Sequence, residues 1–139
     1  MKRVSIHVNY WAILLSAVVA FVSSYVWYSA FAEQMLRLHP LSPSTPAGMV
    51  RPPAWKMGAE VVRDLVLASV LAWLTRGLGV SKGPSAAGLA VLLWIAFPLL
   101  LWTGAVMWEN VPVELAAIHS GDWLLKLVLI TMIVAVWRR

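Results

Sequence analysis

Hydrophobic residues form four long runs along the chain, and short polar or proline-rich segments separate them. Each run is long enough, at about 1.5 Å per helical residue, to cross roughly 30 Å of hydrocarbon. The runs extend over about Val8 to Phe31, Met57 to Gly77, Ala86 to Trp108 and Leu115 to Trp137. The pattern therefore predicts an all-α integral membrane bundle of four transmembrane helices, in a single domain over residues 1–139.

Composition supports this class of protein. The chain is 61% hydrophobic and 12% charged, whereas soluble domains are about half apolar and about a quarter charged. The net charge is +5, but the basic residues lie scattered at the ends of the apolar runs, so we expect no nucleic-acid partner. Cysteine is absent and no metal-ligand spacing appears, so no cofactor or metal is predicted. The first apolar run is longer than the core of a signal peptide, which predicts a retained helix.

The positions of lysine and arginine predict the orientation, because basic residues near helix ends favour the cytoplasmic side. Three lie between the first and second runs, on one side: Arg37, Arg51 and Lys56. Six sit on the other side: Lys2, Arg3, Arg76, Lys82, Arg138 and Arg139. We therefore expect both termini in the cytoplasm, with tryptophans serving mostly as interfacial anchors and packing residues.

Proline and glycine mark the connections. The predicted outer loop, residues 32–54, contains five prolines, which favours an irregular or polyproline segment. The turn at residues 77–85 ends the second helix and starts the third. The short turn at 108–114 makes the third and fourth helices antiparallel neighbours. Pro98 lies near the middle of the third helix, where it removes a backbone donor and predicts a kink.

Charged residues interrupt two of the runs. Glu60, Arg63 and Asp64 occupy an arc of roughly 100° on the second helix, and His119, Asp122 and Lys126 do the same on the fourth. The two stripes match in depth in the outer half of the membrane. Ionisable groups facing lipid are costly, so they should face inward and find partners. Other helices place polar groups at similar heights: Ser23, Ser24, Tyr28 and Thr103.

Several pairings fit these positions. Asp122 with Lys126, Glu60 with Arg63, and Asp64 with Arg63 are within reach along one helix. Across helices, Asp64 with Lys126 and Asp122 with Arg63 fit equally well. Three carboxylates face two basic side chains, so a protonated His119, a protonated acid or a bound cation would balance the charge.

The chain also resembles a known family. The resemblance rests on three segments: NYWAILLSAVVAFVSSYVWYS in the first helix, LLWIAFPLLLWTGAVMWENVP in the third and LAAIHSGDWLLKLVLITMIVAVW in the fourth. Together they resemble the bacterial membrane family called domain of unknown function 1761, over nearly the whole chain. The resemblance implies four membrane helices and a bacterial cytoplasmic (inner) membrane location, and it supplies no ligand or catalytic residue.

Three functional hypotheses follow. The leading one is a small transport or permeation protein whose outward-facing polar site is lined by the six stripe residues with Ser24, Tyr28 and Thr103. The second is a structural or accessory subunit in which buried ion pairs hold the helices. The third is a membrane enzyme doing acid/base chemistry on a lipid. Membrane lipids are the expected surroundings, and small-residue faces with Ala68, Ser69 and Ala72, or Ala87, Gly88, Ala90 and Val91, suggest a homo-oligomer.

Overall fold

A computed structural model describes residues 8–38 and 52–137 of the chain. All regular secondary structure within these ranges is helical, which confirms the predicted all-α class. The elements are α1 (Tyr10–Ala30), α2 (Ala32–Leu38), α3 (Ala54–Gly77), α4 (Gly83–Trp94), a π-helical segment (Ile95–Leu99), α5 (Leu100–Glu109) and α6 (Val113–Val136).

The helix ends have identifiable local causes. Asn9 caps α1, because its side-chain oxygen accepts hydrogen bonds from the backbone N–H groups of Trp11 at 3.0 Å and Ala12 at 3.3 Å. Pro53 and Pro112 immediately precede α3 and α6. Asn110 ends α5 in the left-handed region, with a φ of 55°.

Proline shapes the middle of the third long helix. Pro98 lies inside the π-helical segment that joins α4 to α5, so the missing backbone donor is accommodated by one wider turn within a continuous helix. The predicted disturbance at Pro98 therefore takes the form of a π-bulge.

The segment after α1 differs from its prediction. Residues 32–38, expected to begin an irregular loop, form α2, and α3 begins at Ala54. α2 carries an exposed ion pair between Glu33 and Arg37 on successive turns, which supports a short helix. The remaining part of the proline-rich loop, residues 39–51, and the terminal basic residues used for the orientation lie outside the described residues.

Helix α6 is the centre of the packing. It contacts α1, α3 and the α4–α5 helix, while α1 also packs against α3. The core between them is rich in small and aliphatic side chains, which allow close helix approach. Ala68, Ala72 and Ala90 belong to this core, so these three are not available for contact with another copy, whereas Ser69 and Gly88 are exposed.

Three helices of the described chain are long and apolar enough to cross a membrane: Tyr10–Ala30, Gly83–Glu109 and Val113–Val136. Of the four membrane-spanning helices predicted from the sequence, three are therefore supported by length and composition. Helix α3 has a comparable length of 24 residues, but it places Glu60, Arg63 and Asp64 within a single turn and a half, which lowers its overall apolarity. Its charges define the site described next.

Candidate functional site

A cavity of about 700 Å³ opens between α1, α3, α5 and α6. This volume lies within the range of about 300 to 1,000 Å³ common for small-molecule sites. Its lining combines charged, hydroxyl and aromatic side chains: Ser24, Tyr25, Tyr28, Ser29, Glu60, Arg63, Trp102, His119, Asp122, Trp123 and Lys126, with Phe21, Ala32, Pro52 and Met57. Eight of the nine residues predicted for the site lie in or directly beside this cavity.

Helical periodicity explains how α6 supplies its part of the wall. His119, Asp122, Trp123 and Lys126 follow a spacing of three, four and seven residues, which places them on one face of the helix. On α1, Ser24 and Tyr28 are one turn apart, and on α3 the same holds for Glu60 and Asp64. The polar faces of three helices therefore border the same cavity.

Lys126 lies at the inner end of this space and is held by two carboxylates of α3. Its Nζ donates to Asp64 Oδ1 at 2.9 Å and to Glu60 Oε1. The residue is only 3% exposed, and Asp64 is 1% exposed. Glu60 uses its other oxygen to accept from Arg63 Nη1 at 2.6 Å. We call these four residues, Glu60, Arg63, Asp64 and Lys126, the ionic quartet.

The quartet settles which of the predicted pairings form. Asp64 pairs with Lys126 across helices, and Glu60 pairs with Arg63 along α3, as two of the alternatives proposed. The pairing of Asp122 with Lys126 is wrong, as are the pairings of Arg63 with Asp64 and with Asp122. The physical reason is that α3 presents both carboxylates directly to Lys126, while Arg63 donates to Glu60 and its guanidinium lies over the Trp123 ring, 5.8 Å from the ring centroid.

Asp122 lies outside the quartet. It is 4% exposed, and one of its carboxylate oxygens accepts a hydrogen bond from Ser24 Oγ of α1. No ion pair within 4.0 Å joins it to a basic side chain in the part of the chain that the structure describes. Asp122 is therefore a buried acid, beside the cavity, whose hydrogen-bond donors are the neutral hydroxyls of Ser24 and Tyr28.

His119 connects α6 to two other helices. Its Nδ1 lies 2.8 Å from the hydroxyl of Tyr28 on α1. Its ring also stacks on Trp102 of α5, with centroids 4.6 Å apart and planes 10° apart. The imidazole is thus fixed in position at the cavity wall by a hydrogen bond and by an aromatic surface.

Aromatic residues form a larger part of the wall than the sequence suggested. Trp102 and Trp123 line the cavity, although tryptophans were expected mainly at interfaces and in packing. The place of Trp123 could have been predicted from the sequence, since it shares the helix face of His119 and Lys126. The place of Trp102 could not, because only the packing of α5 on α6 brings it to His119.

Other tryptophans serve packing, as predicted. The indole N–H of Trp27 donates to the Ile118 carbonyl at 3.0 Å, and that of Trp94 donates to the Ser120 carbonyl at 2.7 Å. Both acceptors lie on α6, so these bonds join α1 and α4 to the central helix.

Thr103 does not belong to the cavity. Its hydroxyl donates to the Leu99 carbonyl at 2.7 Å within its own helix, and it lines a separate groove between α5 and α6. The neighbouring Trp102 takes the cavity-facing position, and a step of one residue turns a helical side chain by about 100°. Ser23 is similarly occupied, since its hydroxyl donates to the Ala20 carbonyl at 2.8 Å.

The charged surface ends at the quartet. One turn beyond Asp64 and Lys126 lie Ala68 and Ile130, and both are fully buried. Leu71 and Leu127 complete an apolar layer at this level. The cavity is therefore a vestibule with a charged floor above a packed apolar core.

No curated protein and no solved structure matches the chain. One family model does match, over residues 11–135, and its description is protein of unknown function (DUF1761). This match covers α1 to α6 almost completely and confirms the family indicated by the three helical segments. The chain therefore belongs to the DUF1761 family of proteins of unknown function.

Proposed function

We propose that this chain is a small transport or permeation protein of the bacterial cytoplasmic membrane, with α3 as a fourth spanning helix and both termini in the cytoplasm. In this proposal the cavity is the outward-facing site in which a small polar solute binds. The expected surroundings are membrane lipids, and a homo-oligomer remains our prediction for the assembly.

The observation that carries the proposal is a polar vestibule that reaches a buried charge. Side chains from four helices line about 700 Å³ of space, and that space extends to Lys126. A network that served only to hold helices together would need no such space around it, because protein interiors pack to high density. Ionisable residues that face a cavity within a membrane protein commonly mark a solute or ion pathway.

The ionic quartet favours a structural role for some of the same residues. Lys126, Asp64 and Glu60 are paired with one another, and the first two are almost completely buried. We therefore divide the site into two parts. The quartet holds α3 against α6 and forms the floor, whereas Asp122, His119 and Tyr28 form the wall that a solute contacts.

Reconstitution into liposomes tests the proposal. Currents would be recorded on a solid-supported membrane during concentration jumps of protons, small inorganic ions, small organic cations, anions and zwitterions. We expect currents for one solute class, their loss in Asp122→Asn, and their retention in Thr103→Val, which alters a hydroxyl of the same bundle outside the cavity. A folded protein that passes no class, or currents that persist in Asp122→Asn, would contradict the proposal.

A further inference from the structure

The ion pairs of the site leave one negative charge without a cation. Within the ionic quartet two carboxylates, Glu60 and Asp64, face two cations, Arg63 and Lys126. Asp122 stands beside this balanced group, and its hydrogen-bond donors are the neutral hydroxyls of Ser24 and Tyr28. Neutral hydroxyls leave the charge of a buried carboxylate unbalanced, whereas a cation would balance it, so the cavity beside Asp122 favours a positively charged occupant.

The walls around Asp122 add a second preference. Phe21, Tyr25, Tyr28, Trp102 and Trp123 all line the same space. The faces of aromatic rings attract cations through their quadrupole, and the attraction grows when water is excluded. The cavity already contains this interaction, since the Arg63 guanidinium lies over Trp123.

An anionic ligand would find less to bind. Arg63 donates to Glu60, and Lys126 donates to both Glu60 and Asp64. These pairs leave the quartet with no net charge, and an anion in the cavity would also meet the negative charge of Asp122. The electrostatics of the cavity therefore oppose an anion more than a cation.

A bare metal ion fits less well than an organic cation. Hard cations such as Ca²⁺ take about six to eight oxygen ligands, and no group of three His, Asp or Glu side chains able to hold a metal occurs among residues 8–38 and 52–137. One carboxylate in a cavity lined by aromatic rings instead suits a cation whose charge is spread over an apolar ammonium group.

We infer that the cavity binds an organic ammonium ion, with its charged group between the Asp122 carboxylate and the aromatic wall formed by Tyr25, Tyr28, Trp102 and Trp123. This inference rests on the proposed function, because it names the solute class of the same site. Asp122 supplies the counter-charge, the rings enclose the alkyl groups, and the volume of about 700 Å³ accommodates the ion together with water.

Paired probes separate charge from shape. Choline and its uncharged carbon isostere, in which a tert-butyl group replaces trimethylammonium, have nearly the same size. Binding of each would be measured by isothermal titration calorimetry with the full chain in lipid nanodiscs, at about pH 8, where a free histidine side chain is uncharged. We expect choline to bind at least about ten-fold more tightly than the isostere, a difference of about 1.4 kcal/mol.

Three variants assign the effect to residues. Asp122→Asn should weaken choline binding by at least about ten-fold and leave the isostere unchanged. Glu33→Gln removes the same charge from an exposed side chain of α2 outside the cavity, so it should leave both affinities unchanged. Tyr25→Leu keeps an apolar side chain at a position that is 66% exposed, so it should preserve folding while weakening choline by several-fold more than the isostere.

Each result bears on the inference separately from the transport proposal. Equal affinities for choline and the isostere, no choline binding by the folded protein, or full choline binding in both Asp122→Asn and Tyr25→Leu would overturn the inference. If liposomes carry an anion or a zwitterion in an Asp122-dependent way, transport stands and the ammonium inference fails. If choline binds through Asp122 but no solute crosses the membrane, the inference stands and transport fails.

Discussion

At the scale of single residues, the site rests on the difference between two acids beside one lysine. Asp64 contacts Lys126 at 2.9 Å, whereas Asp122 accepts a hydrogen bond from Ser24. Both acids are buried near the ammonium group of Lys126. Asp122 lies one helical turn from Lys126 on α6, and Asp64 lies on the facing helix α3. Their roles differ because the facing helix, and not sequence spacing, selects the partner of a buried charge.

Removal of Lys126 gives the first prediction. Lys126→Met leaves Asp64 buried without a cation, so we expect a loss of about 3 to 5 kcal/mol in stability. Adding Asp64→Asn should recover part of that loss, whereas adding Asp122→Asn should recover less, because Asp122 is not the ion-pair partner. Thermal unfolding in detergent compares these variants.

A surface ion pair provides the control for that experiment. Glu33 and Arg37 are both 74% exposed at the side chain, and exposed pairs contribute about 0 to 1 kcal/mol. Arg37→Ala should therefore leave the melting temperature nearly unchanged. Equal recovery by Asp64→Asn and Asp122→Asn would contradict the assigned pairing.

At the scale of elements, α1 meets α6 at a glycine. A Cβ atom added to Gly121 would lie 2.6 Å from the ring of Trp27, which is too close for two non-bonded carbon atoms. The same indole donates to the Ile118 carbonyl, so the ring is held against α6 by both a hydrogen bond and close packing. The absence of a side chain at Gly121 thus sets the distance between the two helices.

Gly121→Ala is the second prediction. The added methyl group must displace Trp27 and separate α1 from α6, so we expect a cost of about 1 to 3 kcal/mol. Gly104→Ala is the matched control, since no atom lies within 4 Å of its added Cβ. Stability measured by thermal unfolding should fall for the first variant only, and equal melting temperatures would refute the close contact.

Helix α3 depends on its neighbour more than the other long helices do. It carries Glu60, Arg63 and Asp64 on the side that faces α6 and the cavity. The two carboxylates form ion pairs there with Lys126. Each charged residue exposed to lipid costs about 2.5 to 3.5 kcal/mol on insertion scales. In the proposed arrangement, in which α3 also spans the membrane, the pairing with α6 compensates for the lower apolarity of α3.

At the scale of the whole molecule, the cavity opens at the end of the bundle that the sequence predicts to face outward. Ser29, Ala32, Pro52 and Met57 line its mouth, and they flank the connection between α1 and α3. The turn between α3 and α4 lies at the opposite end. The predicted orientation therefore makes the vestibule accessible from outside the cell.

Cysteine labelling in intact cells tests this orientation. Ser29→Cys at the cavity mouth and Ala47→Cys, which lies outside the described residues, should react with a membrane-impermeant thiol reagent. Ser81→Cys and Arg139→Cys should react only after the membrane is permeabilised. The absence of native cysteine makes each signal specific. Labelling of Ser81→Cys but not of Ser29→Cys in intact cells would reverse the orientation.

The assembly is predicted to contain more than one copy. Small exposed residues such as Ser69 and Gly88 permit close approach of another chain. Mass photometry in lipid nanodiscs should show a dimer or a larger species. A monomer at working concentration would argue against this prediction.

Much of the fold follows from local sequence. Apolar runs of membrane length, the asparagine before α1 and the prolines before α3 and α6 act within a few residues, so they indicate helices and many of their ends without tertiary information. The site could be located in the same way, because buried charges at helical spacing must face inward whatever their partners are. The short helix α2 was not predicted, because the whole segment 32–54 was interpreted from its five prolines. All five lie beyond Leu38, where α2 ends.

The sequence by itself determined the class, the family and the residues from which a site could be built, because hydrophobic length and helical periodicity depend only on the order of residues. Tertiary structure decided which charges pair, that Trp102 joins the cavity and that Thr103 does not. These outcomes depend on the rotation and closeness of helices, which are set by contacts such as Gly121 against Trp27 and Ala68 within the core. Such contacts join residues far apart in the chain, and several pairings fit the same spacing until the packing selects one of them.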